Sequence, residues 1–252
     1  MNARTAVAIV AALAAPAVLS SQAPGRWPPD SLINVKIIPK NTPVIQVVGM
    51  MRNFAGALGV RCQFCHVGQE GMPLEQFDFA KDEKRTKLTA RQMMRMVQEI
   101  NRRLDTLPEH EKMTSHVEVS CATCHRGVSR PMPLEQVLLE TAQTAGADSA
   151  SRLYRALRAR YFGRAAYDFG EPSLNIAAFR LGRAGKYDEA FAMLRLNEEQ
   201  FPGSSNLAVF RGNITLMKGD TAGAIAAFRE AVRRDSTNGE AQGRLRQLVR
   251  QP

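Results

Sequence analysis

Two segments of the chain, Cys62–His66 and Cys121–His125, share the pattern Cys-x-x-Cys-His and together contain all four cysteines. Two thiols held one turn apart can each add across one vinyl group of the same porphyrin. The imidazole of the next residue can then ligate the iron. The pattern therefore predicts two covalently attached c-type haems. The predicted attachment residues are Cys62, Cys65, Cys121 and Cys124, and the predicted proximal iron ligands are His66 and His125.

Three other uses of paired cysteines fit the sequence less well. Structural zinc sites combine two such pairs that lie about 12–20 residues apart, whereas Cys62 and Cys121 are 59 positions apart. Zinc would also leave the histidine after each pair without a role, and a thioredoxin-like site would need only one pair. A disulfide within either pair would close a small strained ring. Haem attachment is the interpretation we favour.

The N-terminus has the features of an export signal. Arg4 supplies a positive charge, Thr5 to Ala15 is an apolar run, and Ser21-Gln22-Ala23 offers a small-x-small cleavage site. We expect cleavage after Ala23 and a periplasmic protein, soluble or peripheral to the membrane, with no transmembrane span in the mature chain. An uncleaved anchor is the alternative, but Pro16 interrupts a run shorter than the ~20 residues that a spanning helix needs.

Composition limits the classes of partner. The chain has 252 residues, 44% of them hydrophobic, and a formal net charge of +10. This charge favours redox partners that are acidic or bound to an anionic membrane, because it steers encounter. Nucleic-acid binding is not expected, since the basic residues are spread along helical segments with few aromatic residues.

The residues before each motif predict a helix that could supply a further iron ligand. Residues 24–43 contain five prolines and look like an extended lead-in rather than a packed element. From Val44 to Leu58 apolar residues recur at helical spacing, and Gly59 suits the position after a helix end. Met51 lies at the centre of the apolar stripe and Met50 to one side.

A second helix, from about Lys84 to Leu104, precedes the second motif. Met93 lies at the centre of its apolar face, and Met96 lies at the edge. Methionine on such a face is more often core filler than ligand. Two irons that each need a sixth ligand favour coordination by methionine, but His110 and His116, in a polar connection, remain alternatives.

The stretch from Val44 to Pro133 resembles the multihaem cytochrome subunit of photosynthetic reaction centres and its smaller dihaem relatives. In that family each haem is carried by a helix followed by the motif, and a methionine of the helix is the distal ligand on most irons. The resemblance therefore implies Met51 and Met93 as distal ligands, with Met50, Met96 and His116 as alternatives. His116-Val117 resembles a family position whose histidine ligates a haem of the other half, which here would require a second chain. The full subunit has four motifs, so this chain resembles one half of it. The matching stretches are Met51-Arg52-Asn53-Phe54, Cys62–His66, Phe79-Ala80-Lys81-Asp82, Ala90-Arg91-Gln92-Met93, Ile100-Asn101 and Cys121–Gly127.

The region after Pro133 predicts only helices and contains an internal repeat. Ser149 to Tyr161 reads as an amphipathic basic helix. Further on, a set of residues recurs after 34 positions, which is the period of tetratricopeptide (TPR) helical hairpins. Residues Ala241–Val249 are expected to cap the stack. The repeated pairs are Gly185 and Gly219, Ala190 and Ala224, Ala192 and Ala226, and Arg195 and Arg229.

The sequence thus predicts an all-α protein in which a dihaem multihaem-cytochrome-like domain precedes a short TPR-like helical-hairpin domain. The expected function is electron transfer by two haem c groups rather than enzymatic catalysis, with the TPR-like region docking a protein partner. Two alternatives are a dihaem peroxidase with one open iron, and a haem-containing TPR assembly or sensor module. The predicted boundaries are a signal peptide at 1–23, a Pro-rich linker at 24–43, the dihaem cytochrome c domain at 44–135, a connecting helical segment at 136–170 and the TPR-like repeats with capping helix at 171–252.

Overall fold

The structure is a computed structural model that describes residues 26–108 and 117–249. These residues form helices and, apart from one isolated antiparallel bridge between Val67 and Asp78, no β structure, which confirms the all-α class. The predicted signal peptide, His110 and His116 lie outside the described residues. The helices are α1 (Val44–Leu58), α2 (Arg85–Leu104), α3 (Cys121–His125), α4 (Leu134–Tyr161), α5 (Glu171–Arg183), α6 (Tyr187–Gln200), α7 (Ser205–Met217), α8 (Thr221–Arg234) and α9 (Gly239–Val249), with short 3-10 turns at Cys62–Phe64 and Leu74–Gln76.

The chain forms two compact units. The first contains the described residues up to Met50 together with Cys62–Met93, and it holds the first motif. The second contains Met51–Arg61 and the described residues from Met94 onward, and it holds the second motif. The division passes through α1 and through α2, so each helix contributes to both units.

The two helices expected before the motifs are present with the expected bounds. Helix α1 begins directly after Pro43, whose fixed φ suits a helix start, and Gly59 follows its end with φ of +65°. Helix α2 covers Arg85–Leu104, one residue shorter than expected. Both predictions are confirmed.

The lead-in of the first unit differs from expectation. Residues 26–43 contain no helix, as predicted, but they are packed rather than merely extended. The Trp27 ring lies 4.9 Å from the ring of Phe79, and Ile38 is buried. Asn34 Nδ2 donates to the Ala80 carbonyl at 2.5 Å. Aromatic and amide side chains in this segment find partners in the first unit, which the count of prolines alone did not indicate.

In the second unit the helices repeat with the period found in the sequence. Helices α5, α7 and α9 begin at positions 171, 205 and 239, and α6 and α8 begin at 187 and 221, so the step is 34 residues. The turns inside the two hairpins contain Gly185 and Gly219, with φ of +74° and +90°. Ala190 and Ala224 are fully buried. The helical-hairpin period is therefore present, and membership of the TPR family stays a prediction.

The connecting segment is helical, as expected, but its helix begins earlier than the stretch that the sequence marked as amphipathic. Helix α4 begins at Leu134 instead of near Ser149, and Gly146, with φ of +82° and ψ of 174°, breaks it in two. Leu138 and Tyr154 from its two halves are buried in one cluster with Leu181 of α5 and Met193 of α6. A second cluster unites α7, α8 and α9 around Phe228.

Apolar burial is unevenly distributed along the chain. Most of the buried hydrophobic side chains belong to α4–α9, whereas in residues 26–108 the only ones are Ile38, Val47 and Val48. A segment of this length normally buries a larger apolar core. Such sparse burial is consistent with the predicted attachment of two haems, whose macrocycles are large and apolar.

Candidate haem-binding sites

The first motif is a tight turn held by the beginning of α2. The backbone N–H of His66 donates to the Cys62 carbonyl at 2.9 Å, which closes the turn that brings the two thiols and the imidazole together. Lys84 Nζ donates to the Gln63 carbonyl, and Thr86 Oγ1 donates to the Phe64 carbonyl. The motif and the N-terminus of α2 are therefore tied by side-chain hydrogen bonds on both central residues.

The His66 ring is supported by aromatic side chains and is kept neutral. It packs edge-on against Phe79 at 4.9 Å, and Phe79 in turn stacks on Phe77 at 5.6 Å. Burial, and after it the charge of Lys87, lower the pKa of His66 to about 4, against an opposing interaction with the Phe79 backbone. Its Nδ1 atom is buried without a hydrogen-bond partner. A neutral imidazole is the form that ligates a metal.

Lys87 holds the loop that carries Phe79. The residue is only 8% exposed, and Nζ donates to the carbonyls of Phe79, Ala80 and Lys81 at 2.9, 3.1 and 2.7 Å. The same ammonium lies 2.9 Å from Asp82 Oδ1. A buried cation needs such partners, since its desolvation is otherwise costly. Lys87 thus fixes the backbone that supports the His66 ring.

A second cation completes this cluster. Arg91 donates to Asp82 Oδ2 at 2.8 Å and to the Asn34 carbonyl at 3.1 Å. Hydrogen bonds from Arg91 and Asn34, with a further one from Lys87, hold the pKa of the Asp82 carboxyl well below its usual range. The lead-in segment, the loop and α2 are joined through one carboxylate.

The second motif forms the short helix α3, and its flanking residues fix both ends. The Ser120 N–H donates to Thr123 Oγ1 at 3.0 Å, and Arg126 ends the helix in the left-handed conformation with φ of +48°. Before the motif, Asn101 of α2 donates to the Val119 carbonyl at 2.9 Å and accepts from the Val119 N–H at 2.8 Å. One amide side chain therefore pairs both backbone groups of the residue that leads into α3.

His125 is already oriented as a proximal ligand. Its Nδ1 lies 2.9 Å from the Val128 carbonyl oxygen, which can only accept, so Nδ1 carries the proton. The Nε2 atom is then the one with a free lone pair. Histidines that ligate a metal through one ring nitrogen commonly donate the other N–H to a backbone carbonyl in this way, which fixes the tautomer and the direction of the ring.

The four cysteines are free thiols in the structure. Cys124 is exposed and the other three are half-buried. Burial raises the pKa of the Cys65 and Cys121 thiols, which keeps them protonated at neutral pH. In the described part of the chain, no three His, Cys, Asp or Glu side chains gather as metal ligands of their own.

The second motif is joined to the end of α1 by close backbone contact. The Gly127 N–H donates to the Ala57 carbonyl at 2.8 Å. A Cβ atom on Gly59 would lie 2.0 Å from the Gly127 carbonyl oxygen, so only glycine fits at that position. The Tyr161 hydroxyl of α4 reaches the same oxygen at 3.5 Å. Three elements of the second unit therefore meet at Gly127.

The structure argues against a core-filling role for the methionines of α2. Met93 and Met96 are 38% and 52% exposed, whereas a methionine that fills the core, such as Met193, is fully buried. Met50 and Met51 are both half-buried. Met51 belongs to the second unit, whereas the motif that follows α1 belongs to the first. Met93 belongs to the first unit, whereas the motif that follows α2 belongs to the second. The assignment of Met51 and Met93 as distal ligands stays a prediction, with Met50 and Met96 as alternatives.

Sequence reasoning did not single out Lys87 or Asn101. A lysine inside an amphipathic helix reads as solvated, and its burial follows only from the carbonyls that the loop presents to it. The stretches that carry the family resemblance could have pointed to both residues. Lys87 binds the stretch Phe79–Asp82, and Asn101 belongs to the stretch Ile100-Asn101.

The residues at both motifs fit covalently bound haem c. At the second motif the tautomer of His125 leaves Nε2 for iron, and at the first motif the neutral His66 ring is held by Phe79. At each motif the two cysteines are available as thiols. These features are what attachment through two thioethers and one imidazole requires.

Comparison with known proteins gives the same assignment. Residues 69–156 match the family described as photosynthetic reaction centre cytochrome C subunit. Cytochrome c-554 of Chloroflexus aurantiacus is 38% identical over 77 residues, which are 30% of this chain and 16% of that protein. This chain thus matches about a sixth of its relative's length. The family match includes the second motif and begins three residues after the first.

The geometry of the motifs and the family match lead to one conclusion. Covalent haem c is the cofactor of this family, and electron transfer is the chemistry that it serves. Over residues 69–156, the chain is thus similar to the cytochrome subunit of photosynthetic reaction centres, which is a family of c-type cytochromes.

Proposed function

We propose that this chain is a periplasmic dihaem electron carrier that exchanges electrons between redox proteins. The observation that carries the proposal is the state of the two motif histidines. His125 presents Nε2 because Nδ1 is bound to Val128, and His66 is held neutral against Phe79. Two such sites in one chain support one haem each.

The residues of the chain would bind, orient and shield the cofactors. Haem supplies reversible one-electron chemistry at iron when it is bound. Cys62 and Cys65, and likewise Cys121 and Cys124, would hold it through thioethers. Lys87 fixes the loop behind His66, and Asn101 fixes the chain that leads into the second motif. Rigid ligand support of this kind lowers the reorganisation that accompanies a change of charge at the metal.

A redox titration followed by optical absorption tests the carrier function. We expect both haems to cycle reversibly between the ferrous and ferric states at physiological potentials. Carbon monoxide added to the reduced protein tests the peroxidase alternative, because two six-coordinate irons resist binding and an open iron does not. Haems that fail to cycle would contradict the carrier function. Rapid binding of carbon monoxide by one haem would favour the peroxidase alternative.

We further propose Met51 and Met93 as the distal ligands, which raises both potentials relative to ligation by two histidines. Their exposed or half-buried positions on α1 and α2 support the proposal. In near-infrared and optical spectra, Met51→Ala and Met93→Ala should each remove half of the methionine–iron signal. Met50→Ala and Met96→Ala are matched controls on the same helices and should leave the signal unchanged. If the full signal is retained in Met51→Ala and Met93→Ala, the distal ligands are instead among Met50, Met96 and His116.

The location and partners are proposed from the sequence. The charge pattern of residues 1–23 supports export, and mass spectrometry of the mature N-terminus tests cleavage after Ala23. None of the helices in residues 26–108 and 117–249 is long and apolar enough to cross a membrane. A mature mass that retains residues 1–23 would contradict cleavage.

We also propose that the helical hairpins α5–α8 dock a protein partner in the manner of TPR repeats. Arg195 and Arg229 occupy equivalent positions of the two hairpins, and both are exposed. The double variant Arg195→Glu/Arg229→Glu should weaken association with the physiological partner and leave the optical spectrum unchanged. Unchanged association would count against docking through this surface.

A further inference from the structure

The second unit contains a basic hollow beside the second motif. We define the arginine hollow as the cavity of about 600 Å³ bordered by Arg126, Arg160 and Arg164. Small residues at the end of α1, such as Gly56, and Ala122 of α3 also line it. The small residues among the lining leave room for the side chains of another molecule.

The charges of the hollow are not neutralised within the described residues. Among the described residues, Arg126 donates to the Thr123 and Ala165 carbonyls, at 3.3 and 3.2 Å. The Arg160 guanidinium lies over the Tyr161 ring at 5.0 Å. None of the three guanidinium groups forms an ion pair with a described carboxylate, although many other arginines of the second unit do. Three exposed cations thus converge on one concave surface without a counter-charge.

The hollow lies next to the point of haem attachment. Cys124 is exposed, and Arg126 follows it after a single residue of α3. Ala122, between the two cysteines, lines the hollow itself. A molecule seated in the hollow therefore contacts the backbone of the second motif. Close approach of this kind is what electron exchange between proteins requires.

We propose that the arginine hollow docks the acidic face of a redox protein, which then exchanges electrons through the second haem. This inference rests on the proposed function. Guanidinium groups pair with carboxylates through two parallel hydrogen bonds, so aspartate and glutamate side chains are the matching chemistry. A concave site fits a convex acidic surface, whereas adsorption to a flat anionic membrane relies on extended clusters of four or more cations. Charge complementarity of this kind acts mainly on the rate of association.

The test compares two double charge reversals in the full, haem-loaded chain. Arg160→Glu/Arg164→Glu reverses the hollow and leaves Arg126, the neighbour of His125, in place. Lys36→Glu/Lys40→Glu is the control, because both lysines are exposed, lack ion pairs with described residues and change the net charge equally. The probe is an acidic blue-copper protein, and stopped-flow absorption gives the bimolecular rate of electron exchange.

We expect the hollow variant to be slower than wild type by about tenfold or more at ~10 mM salt, and the control to change less than about twofold. The difference should vanish near ~0.5 M salt, where charges are screened over a few ångströms. Equal slowing in both variants would mean that net charge alone steers the encounter. That result, or no slowing in the hollow variant, overturns the proposal.

Two further measurements separate the possible failures. A small cationic cobalt complex serves as a second oxidant, and its rate should not fall in the hollow variant. If no oxidant reoxidises the wild-type haems, the proposed function itself is wrong. Flotation with phosphatidylserine vesicles identifies the other occupant: loss of vesicle binding together with an unchanged rate towards the blue-copper protein would assign the hollow to a membrane and overturn the proposal.

Discussion

At the scale of single residues, each motif histidine is held in place by its own set of neighbouring residues. His66 is supported by a ring, Phe79, whose loop is held by Lys87. His125 is supported by one hydrogen bond to the backbone of Val128. The two motifs have the same sequence pattern, but the chain orients their imidazoles by different means. The two sites should therefore respond differently to substitution of residues around them.

Lys87 offers the sharpest test at this scale. Replacement by methionine keeps most of the volume but leaves three carbonyls without their donor, and it leaves Asp82 with Arg91 alone. We expect Lys87→Met to lower the free energy of unfolding by about 3 kcal/mol, since three charge-assisted hydrogen bonds to half-buried carbonyls are lost together. Urea unfolding followed by haem absorption measures this change.

The control for this variant is Lys81→Met in the same loop. Lys81 is 54% exposed at its side chain and forms only surface ion pairs, with Asp78 and Glu83. It should change stability by less than about 0.5 kcal/mol. Equal effects of the two substitutions would show that Lys87 is an ordinary surface lysine.

The cysteines and histidines of the motifs could be predicted from sequence because their chemistry depends on adjacent residues. Lys87 could not be, because its partners are backbone carbonyls that every residue possesses. Asn101 is similar, since the groups that it binds belong to the backbone of Val119. Contacts to the backbone leave no pattern of residue types in the sequence. Such contacts emerge only once the loop and the helix are placed together.

At the scale of elements, the end of α1 and the residues after α3 come into close backbone contact at Gly127. The end of α1 approaches α3 so closely that position 59 has no room for a side chain. Gly59 was predicted as the residue after a helix end, and its φ of +65° confirms that role. The close approach to Gly127 is an additional constraint that a helix-ending pattern does not reveal.

Replacement of Gly59 tests this junction. In Gly59→Ala the new Cβ would overlap the Gly127 carbonyl, in addition to the strain of the left-handed conformation. Gly163→Ala is the matched control, because Gly163 has φ of +75° but nothing within 4 Å of its Cβ position. We expect the control to cost about 1 kcal/mol and Gly59→Ala to cost roughly 3 kcal/mol or more by chemical denaturation. Equal costs would mean that the junction opens without penalty.

The hairpins are joined by a charged cluster with a defined pH dependence. Glu198 of α6 accepts from Arg211 of α7 at 2.5 Å and from Arg234 of α8 at 3.2 Å. Burial raises the pKa of Glu198, but the hydrogen bonds from the two arginines outweigh it, so the pKa lies below the usual 4.5. The pair therefore stabilises the fold fully above pH 4.5, and this contribution is lost as the pH falls through the lowered pKa.

Glu198→Gln should reproduce that loss at neutral pH. We expect the variant to be less stable than wild type by on the order of 1 kcal/mol at pH 7, given that the pairs are partly exposed. The difference should shrink as the pH is lowered below 4.5. Denaturation curves by far-UV circular dichroism at several pH values measure it, with Glu199→Gln as the control, since Glu199 pairs with a single, well-exposed Arg155. A difference that is independent of pH would contradict the ionic origin.

The helices differ in how well they can be predicted from the sequence. Helices α1 and α2 carry a regular apolar stripe, and the hairpins carry a 34-residue repeat with glycine at each turn. The first half of α4 was not predicted as a separate helix, because Gly146 interrupts the apolar periodicity just before the stretch that reads as helical. The prolines of the lead-in predict an extended, unpacked segment. Trp27 and Asn34 nevertheless contact the loop around Phe79, and proline content carries no information about these contacts.

At the scale of the whole molecule, the chain divides its stability between two kinds of core. Helices α4–α9 bury leucine, alanine and aromatic side chains in two clusters. The described residues around the motifs bury few hydrophobic side chains and rely on Lys87, Arg91 and Asn101 to hold loops and helices. Attachment of two large apolar macrocycles by thioethers would complete this region. The net charge of +10 and the three arginines of the hollow then suit encounter with acidic partners.

The most direct test of this account is a haem count by motif in the exported protein. Mass spectrometry and haem absorption should give two covalent macrocycles in the wild type. Cys62→Ser/Cys65→Ser and Cys121→Ser/Cys124→Ser should each retain one. A wild-type protein that carries no macrocycle, or a double variant that keeps both, would contradict the assignment of one haem to each motif.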